Sequence, residues 1–187
     1  EAERLIDGLL ISVELQVDPE DQTILNSFGA ILLSLDIRVK PLIPKIASIV
    51  LYRLKNNLPQ VRQLAADLVS KISSVVINCG EEIIMYKLGK VLYESLGEVY
   101  PDVLGSILNA LENIVSVVGL ASMNPSIEQL LPNLTPILRN RHEKVQESTI
   151  KLIGKIADRG SEYIPSKGWM RICFELIDML KALRKSI

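Results

Sequence analysis

The sequence predicts an all-α protein built from repeated helix pairs. One amphipathic helical pattern recurs along the chain, and no stretch alternates apolar and polar residues for long enough to predict a strand. Of the 187 residues, 48% are hydrophobic but only 4% are aromatic. We therefore expect a core of Leu, Ile and Val side chains carried on helix faces.

The recurring pattern is clearest between Asn140 and Gly160. We expect Asn140 to cap the start of this helix, with Glu143 in the capping-box position, and Gly160 to end it in a left-handed conformation. The apolar or small residues fall at i, i+3, i+4, i+7, i+8, i+11 and i+12, which places them on one stripe of a helix. They are Val145, Ser148, Thr149, Leu152, Ile153, Ile156 and Ala157.

The same seven offsets recur from Val103, from Val61 and from Ile24. Successive starts, counted back from Val145, are 42, 42 and 37 residues apart. A period of about 40–47 residues holding two or three helices is that of HEAT and armadillo repeats. We therefore predict an α-solenoid superhelix of HEAT repeats, with about four helix pairs and one leading helix.

Each repeat is predicted to be a first helix, a short link and a second helix. Pro41 and Pro44 suit the first turn of a second helix, whereas Pro132 and Pro136 lie inside one and should bend or loosen it. The predicted helices are 3–16, 20–35, 41–56, 60–78, 81–97, 101–120, 125–139, 141–159 and 167–184.

The chain starts and stops within helical sequence, without the polar end repeats that cap a solenoid. We interpret residues 1–187 as a single fragment of a longer HEAT-repeat array. Its approximate repeats are 1–17 (a half repeat), 20–57, 59–97, 101–139 and 141–187.

Charge and hydropathy exclude some classes of protein. The longest uncharged run, Asn113–Ile127, has 15 residues, whereas a membrane-spanning helix needs about 20. The formal net charge is −1, but residues 1–36 carry eight acids against Arg4 alone. Cys79 and Cys173 are predicted to be buried, reduced thiols rather than a disulfide.

Catalytic motifs are missing from the sequence. His142 is the only histidine, so a multi-histidine metal site is not available. There is no Gly-rich phosphate-binding loop of the P-loop or dinucleotide type. We predict a non-enzymatic protein without cofactor or metal.

Basic side chains at junctions and on second helices are the candidate contacts to RNA or to a protein partner. Second helices commonly line the concave side of such arrays, where Lys and Arg could reach phosphate. Solubility and ion pairs within helices are the alternative roles. The candidates are Arg38, Lys40, Lys87, Lys90, Arg139, Arg141, His142, Lys144, Arg171 and Lys181.

Six strings of residues are long enough to compare with known families. They are Arg38–Pro41, Val91–Glu98, Tyr100–Leu108, Leu134–Glu147, Ile156–Gly160 and Trp169–Leu176. Together they resemble the large HEAT-repeat subunit (subunit 1) of splicing factor 3b, in the U2 small nuclear ribonucleoprotein. The resemblance spans nearly all of the chain, although Asp36-Ile37 and Leu120–Met123 depart from the pattern we associate with that family.

This resemblance implies a non-enzymatic scaffold of the spliceosome that supports branch-site recognition during pre-mRNA splicing in the nucleus. The implied partners are other splicing factor 3b subunits, U2 small nuclear RNA with the pre-mRNA branch-site region, and a DEAD-box splicing ATPase. In that family the pocket for the branch adenosine belongs mainly to later repeats. This segment would then supply curvature and partner contacts more than base contacts.

The residues alone leave a second function open, a protein-only HEAT adaptor of the importin or phosphatase-scaffold type. An RNA-contacting array should lose RNA affinity steeply as salt rises, because counterions compete for the phosphates. A protein-only adaptor should have no RNA binding to lose.

Overall fold

The computed structural model describes residues 2–15 and 23–185, and all regular structure in these residues is helical. The sequence also predicts a loop over residues 17–22, which contains Pro19, and this loop lies in the range 16–22, outside the described residues. Short 3₁₀ turns occupy Asp36–Leu42, Leu120–Ser122 and Ser161–Tyr163. The helices are α1 (Ala2–Leu15), α2 (Thr23–Leu35), α3 (Ile43–Leu54), α4 (Pro59–Asn78), α5 (Glu82–Glu94), α6 (Pro101–Val117), α7 (Ile127–Ile137), α8 (Glu143–Gly160) and α9 (Ser166–Lys185).

The helices form two layers. The first helices α2, α4, α6 and α8 pack side by side in chain order, and each second helix packs against the first helix of the following repeat. In the second layer, α3 packs against α5 and α7 against α9. The prediction of an all-α solenoid with one leading helix and four helix pairs is confirmed.

Small residues allow the first helices to approach closely. A Cβ added to Gly105 of α6 would lie 3.0 Å from Cγ of Lys144 on α8. Because glycine has no side chain, the aliphatic part of Lys144 can pack directly against the α6 backbone at this position. Ser106 and Ser148 are also buried, on neighbouring first helices. The stripe of small and aliphatic residues therefore sets how tightly the repeats stack.

One continuous hydrophobic core runs through the described helices, from Ile6 of α1 to Ile172 of α9. All seven stripe residues that start at Val103 are buried, and so are six of the seven that start at Val145. The exception is Ala157, which is exposed.

Two other burial predictions are wrong. In α2 the buried stripe is Leu25, Phe28, Gly29 and Leu32, one residue later than the one predicted from Ile24. Cys79 is buried, but Cys173 is exposed on the outer side of α9. Both cysteines are free thiols.

The predicted caps of α8 are also wrong. Its N-cap residue is His142, without a side-chain capping bond, and Asn140 instead accepts the backbone N–H of His142 at 2.9 Å. Gly160 has φ −148°, and the chain continues into a 3₁₀ turn. Glycine suits this position because an added Cβ would lie 2.8 Å from Cδ1 of Leu120.

The links deviate from prediction where the sequence favours a tighter turn. The helix predicted from residue 41 begins at Ile43 instead, because residues 36–42 form a 3₁₀ turn that contains Pro41. Pro44 lies in the first turn of α3, as predicted. Pro132 and Pro136 both lie within α7, which nevertheless continues to Ile137.

Truncating the buried stripe should destabilise the array much more than truncating an exposed position of the same helix. Leu152 is fully buried in α8, whereas Ile150 is 43% exposed. We expect Leu152→Ala to lower the free energy of unfolding by about 2–5 kcal/mol, because it removes packed methyl groups and leaves a cavity. Ile150→Ala should change it by about 0.5 kcal/mol or less. Urea unfolding followed by circular dichroism measures both, and equal losses would contradict the assigned burial.

Candidate functional site

The loops that join one repeat to the next share a turn. Asn56, Glu98 and Asn140 each lie five residues before the first stripe residue of the following helix. The side chain of each accepts the backbone N–H two residues on, at 2.9, 3.2 and 2.9 Å. The N-cap residue of each following helix then has extended backbone, so the turn fixes where the helix begins.

Arg62 of α4 ties two successive junction loops together. Its Nε and Nη2 donate to the two carboxylate oxygens of Glu98 at 2.8 and 3.0 Å. Its Nη1 donates to the backbone carbonyls of Asn56 and Asn57 at 2.8 and 3.0 Å. The guanidinium carbon also lies 5.9 Å from the ring centroid of Tyr100. Such a planar, bidentate arrangement requires arginine rather than lysine.

The environment of Glu98 favours its charged form. Burial alone would raise the pKa of this carboxyl, but hydrogen bonds from Arg62, Tyr100 and Val99 outweigh it, so the pKa is lowered. The Glu98 side chain is only 8% exposed and that of Arg62 18%. The pair is therefore part of the packed junction.

At the opposite edge of the array, where the first helices end, polar contacts join one repeat to the next. Cys79 donates its thiol to the carbonyl of Asp36, with sulfur and oxygen 3.8 Å apart. Burial, and then the nearby Asp36 carboxylate, raises the pKa of this thiol. Arg159 of α8 donates to the carbonyls of Val115 and Val118, at the C-terminal end of α6.

Five of the ten candidate basic residues are held by acidic side chains. Three of these pairs join neighbouring repeats. Two of them involve lysines: the Lys40 ammonium lies 4.0 Å from the Glu81 carboxylate, and the Lys144 ammonium lies 3.7 Å from the Asp102 carboxylate. Arg139 forms a bidentate pair with Glu175, and its hydrogen bond lowers the pKa of that carboxyl.

In each of the other two pairs, both residues belong to the same helix. Lys90 lies 4.0 Å from Glu94 on α5, and Lys181 lies 3.4 Å from Asp178 on α9. A sixth candidate, Arg38, is held by backbone instead and donates to the carbonyls of Leu35 and Ser34 at the end of α2.

The remaining candidates are exposed. His142 is the N-cap residue of α8, while Lys87 lies on α5, Arg141 in the α7–α8 loop and Arg171 on α9. Among the described residues, Lys87, Arg141 and Arg171 form no salt bridge.

The ten basic residues do not form one patch. Arg38 and Lys40 lie in the turn that precedes α3, whereas Arg139 to Lys144 lie around the loop that follows α7. Because a second helix runs from one edge of the array to the other, these two groups lie at opposite edges. Lys87, Lys90, Arg171 and Lys181 lie between them on the second-helix layer.

Sequence reasoning missed Arg62, Glu98 and Arg159, which make the strongest contacts between repeats. One signal was available for Glu98, because it occupies the repeat position of Asn56 and Asn140. Arg62 and Arg159 carry no such signal. Leu104 and Gln146 stand at the repeat position of Arg62, and the partners of both arginines include backbone carbonyls that only the folded chain brings near.

The described part of the chain offers no metal site, since no three His, Cys, Asp or Glu side chains cluster there in a way that could hold an ion. No helix in residues 2–15 and 23–185 is long and apolar enough to cross a membrane.

Comparison with known proteins identifies relatives over nearly the whole chain. The chain is 61% identical over 185 residues to the U2 snRNP component prp10 of Schizosaccharomyces pombe, covering 99% of this chain and 15% of that protein. It is 52% identical over 184 residues to the U2 snRNP component HSH155 of Saccharomyces cerevisiae, covering 98% of this chain and 19% of that protein. The predicted resemblance to the HEAT-repeat subunit of this particle is confirmed.

Two further comparisons concern the fold. Residues 101–156 match the family of HEAT-like repeats. A crystal structure of an engineered protein superposes with a TM-score of 0.58 and 16% identity, covering 91% of this chain and 67% of that one. At this identity the likeness shows the fold alone.

Breaking the Arg62–Glu98 pair should destabilise the array more than breaking an exposed pair. We expect Arg62→Ala to lower the free energy of unfolding by about 1.5–3 kcal/mol, because it removes charge-assisted hydrogen bonds from a partly buried carboxylate. Arg62→Lys should recover only part of this, because an ammonium cannot pair bidentately. Lys151→Ala, which removes the exposed Lys151–Glu147 pair, is the control and should leave the free energy of unfolding nearly unchanged. Equal losses in urea unfolding would refute the junction's role.

The same pair predicts a pH dependence. The pKa of Glu98 is lowered from 4.5 in the folded chain, so its stabilising effect is complete at neutral pH. That effect is lost as pH falls below about 4.5 and through the lowered pKa. The difference in unfolding free energy between the original chain and Glu98→Gln should therefore be largest at pH 7 and shrink towards pH 3. A difference that stays constant over this range would show that the carboxylate charge does not matter.

Proposed function

Because this chain is similar to two U2 snRNP components over nearly its whole length, we propose that it is part of a non-enzymatic scaffold of the spliceosome that supports branch-site recognition in pre-mRNA splicing. The observation that carries the proposal is 61% identity to prp10 over 99% of the chain. The chain spans less than a fifth of either relative, so the proposal concerns the contribution of one segment.

The contacts between repeats support a scaffold. Stacked first helices share a continuous core. Arg62 links the loops around Asn56 and Glu98 at one edge, and Arg159 holds the end of α6 at the other. Such contacts set the spacing and angle between neighbouring repeats. Small rotations at successive junctions would add up to opening and closing around a bound partner.

We further propose that the segment acts in the nucleus, together with other splicing factor 3b subunits, U2 small nuclear RNA, the pre-mRNA branch-site region and a DEAD-box splicing ATPase. Most candidate basic residues already pair with acids or carbonyls of this chain, which favours a role in spacing over direct phosphate contact. Lys87 and Arg141 are exposed and form no salt bridge with the residues that the structure describes, so they are the proposed RNA contacts. Arg171 is a proposed partner contact.

A protein-only adaptor of the importin or phosphatase-scaffold type is the second candidate. The neutralisation of Lys40, Arg139 and Lys144 by acidic partners favours it, because these side chains are then less able to attract phosphate.

Crosslinking of the intact U2 particle followed by mass spectrometry tests the proposal. We expect peptides of this segment to crosslink mainly to protein subunits, with RNA crosslinks confined to peptides containing Lys87 or Arg141. A segment without crosslinks to other members of the particle would contradict a role in its assembly.

RNA binding by the isolated chain separates the two candidates. We expect binding to weaken as salt rises, and Lys87→Glu and Arg141→Glu each to reduce the slope of log affinity against log salt by about one. Lys151→Glu, on the first-helix layer, is the control and should leave the slope unchanged. Absence of RNA binding at low salt would instead favour the protein-only adaptor.

A further inference from the structure

We propose that a cavity between α7 and α9 is a docking site for a short acidic peptide segment of a protein partner, one that inserts a bulky apolar side chain. This inference goes beyond the proposed function and does not depend on it. The cavity has a volume of about 350 Å³ and lies on the second-helix layer, within the range typical of ligand sites.

The floor of the cavity is mostly apolar. It is formed on α7 by Leu131, Pro132 and Thr135, and on the other side by Ile164, Pro165 and Gly168. The buried Thr135 hydroxyl already donates to the carbonyl of Leu131 at 3.3 Å, so it adds little polarity. The floor therefore suits an aliphatic or aromatic side chain.

Two prolines leave backbone acceptors beside this floor. In an α-helix a carbonyl accepts the N–H four residues on, but proline has no N–H. Pro132 therefore removes the regular donor to the carbonyl of Glu128, and Pro136 removes that to the carbonyl of Pro132. Glu128 and Pro132 both line the cavity. The hydrogen bonding of α7 is therefore interrupted at two residues that line the cavity.

The charges at the rim favour an acidic segment. Lys167 and Arg171 lie four residues apart on α9, both exposed and both lining the cavity. Within the described chain neither forms a salt bridge. Arg171 acts on Glu175 only through its charge, because that carboxylate is already paired bidentately by Arg139. Carboxylates of the segment would supply direct partners for both cations. A nucleic acid fits less well, because no aromatic ring lines the cavity for base stacking.

Fluorescence anisotropy with a labelled hexapeptide, Asp-Glu-Leu-Phe-Glu-Asp, tests the proposal. We expect saturable binding accompanied by a change in the emission of Trp169, the single tryptophan of the chain, which adjoins Gly168. The double variant Lys167→Glu with Arg171→Glu should bind about tenfold to a hundredfold more weakly, because charge-assisted hydrogen bonds are lost. The control is Lys151→Glu with Lys155→Glu, with the same spacing and charge change on α8. It should bind within about twofold of the original chain.

Circular dichroism shows whether a substituted chain still folds. If it does not, altered peptides tested on the original chain still decide whether the cavity binds this kind of segment. On the original chain, replacing Leu-Phe in the probe by Ser-Ser, or its acids by lysines, should each abolish detectable binding. The proposal is overturned if the original probe does not bind, if the Ser-Ser probe binds equally well, or if both double variants lose affinity alike. Displacement of the peptide by a uridine octanucleotide would reassign the cavity to nucleic acid and equally overturn it.

Discussion

Close packing between successive first helices is the constraint on which the rest of the structure depends. The α4, α6 and α8 helices can stack because their facing stripes combine aliphatic side chains with small ones such as Gly105, Ser106 and Ser148. Interiors packed at this density tolerate little change in volume. The spacing of the repeats is therefore fixed by a few small residues, and every loop and second helix must adapt to that spacing.

Charged residues serve mainly to join repeats. Lys40, Arg62, Arg139 and Lys144 each reach an acidic residue of a neighbouring repeat or of the loop that leads to it. Exposed pairs of this kind stabilise little by themselves. The Arg62–Glu98 pair differs, because it is partly buried and removing either partner leaves a charge inside the junction. This arrangement suits a segment that holds partners at set distances.

The second-helix layer is less uniform than the first. It carries large exposed apolar side chains, including Tyr52 on α3, Ile83 on α5 and Phe174 on α9. It also carries the proline-containing helix α7 and the cavity beside it. The first helices α4, α6 and α8 pack against each other extensively. Substitutions on the second-helix layer therefore disturb the core less than substitutions on the first helices. Contacts specific to a partner are expected there.

The sequence by itself determined the helical class, the repeat and most of the buried stripe, because the offsets of Val103 to Val115 and of Val145 to Ile156 are a local consequence of helix periodicity. It also placed Pro44 in a first turn. It did not determine the caps of α8, the register of α2 or the exposure of Cys173, since each depends on which neighbour covers the residue. Only the tertiary structure paired Arg62 with Glu98 and Arg159 with the end of α6. Those partners lie about 40 residues apart in the chain, and packing rather than local pattern brings them together.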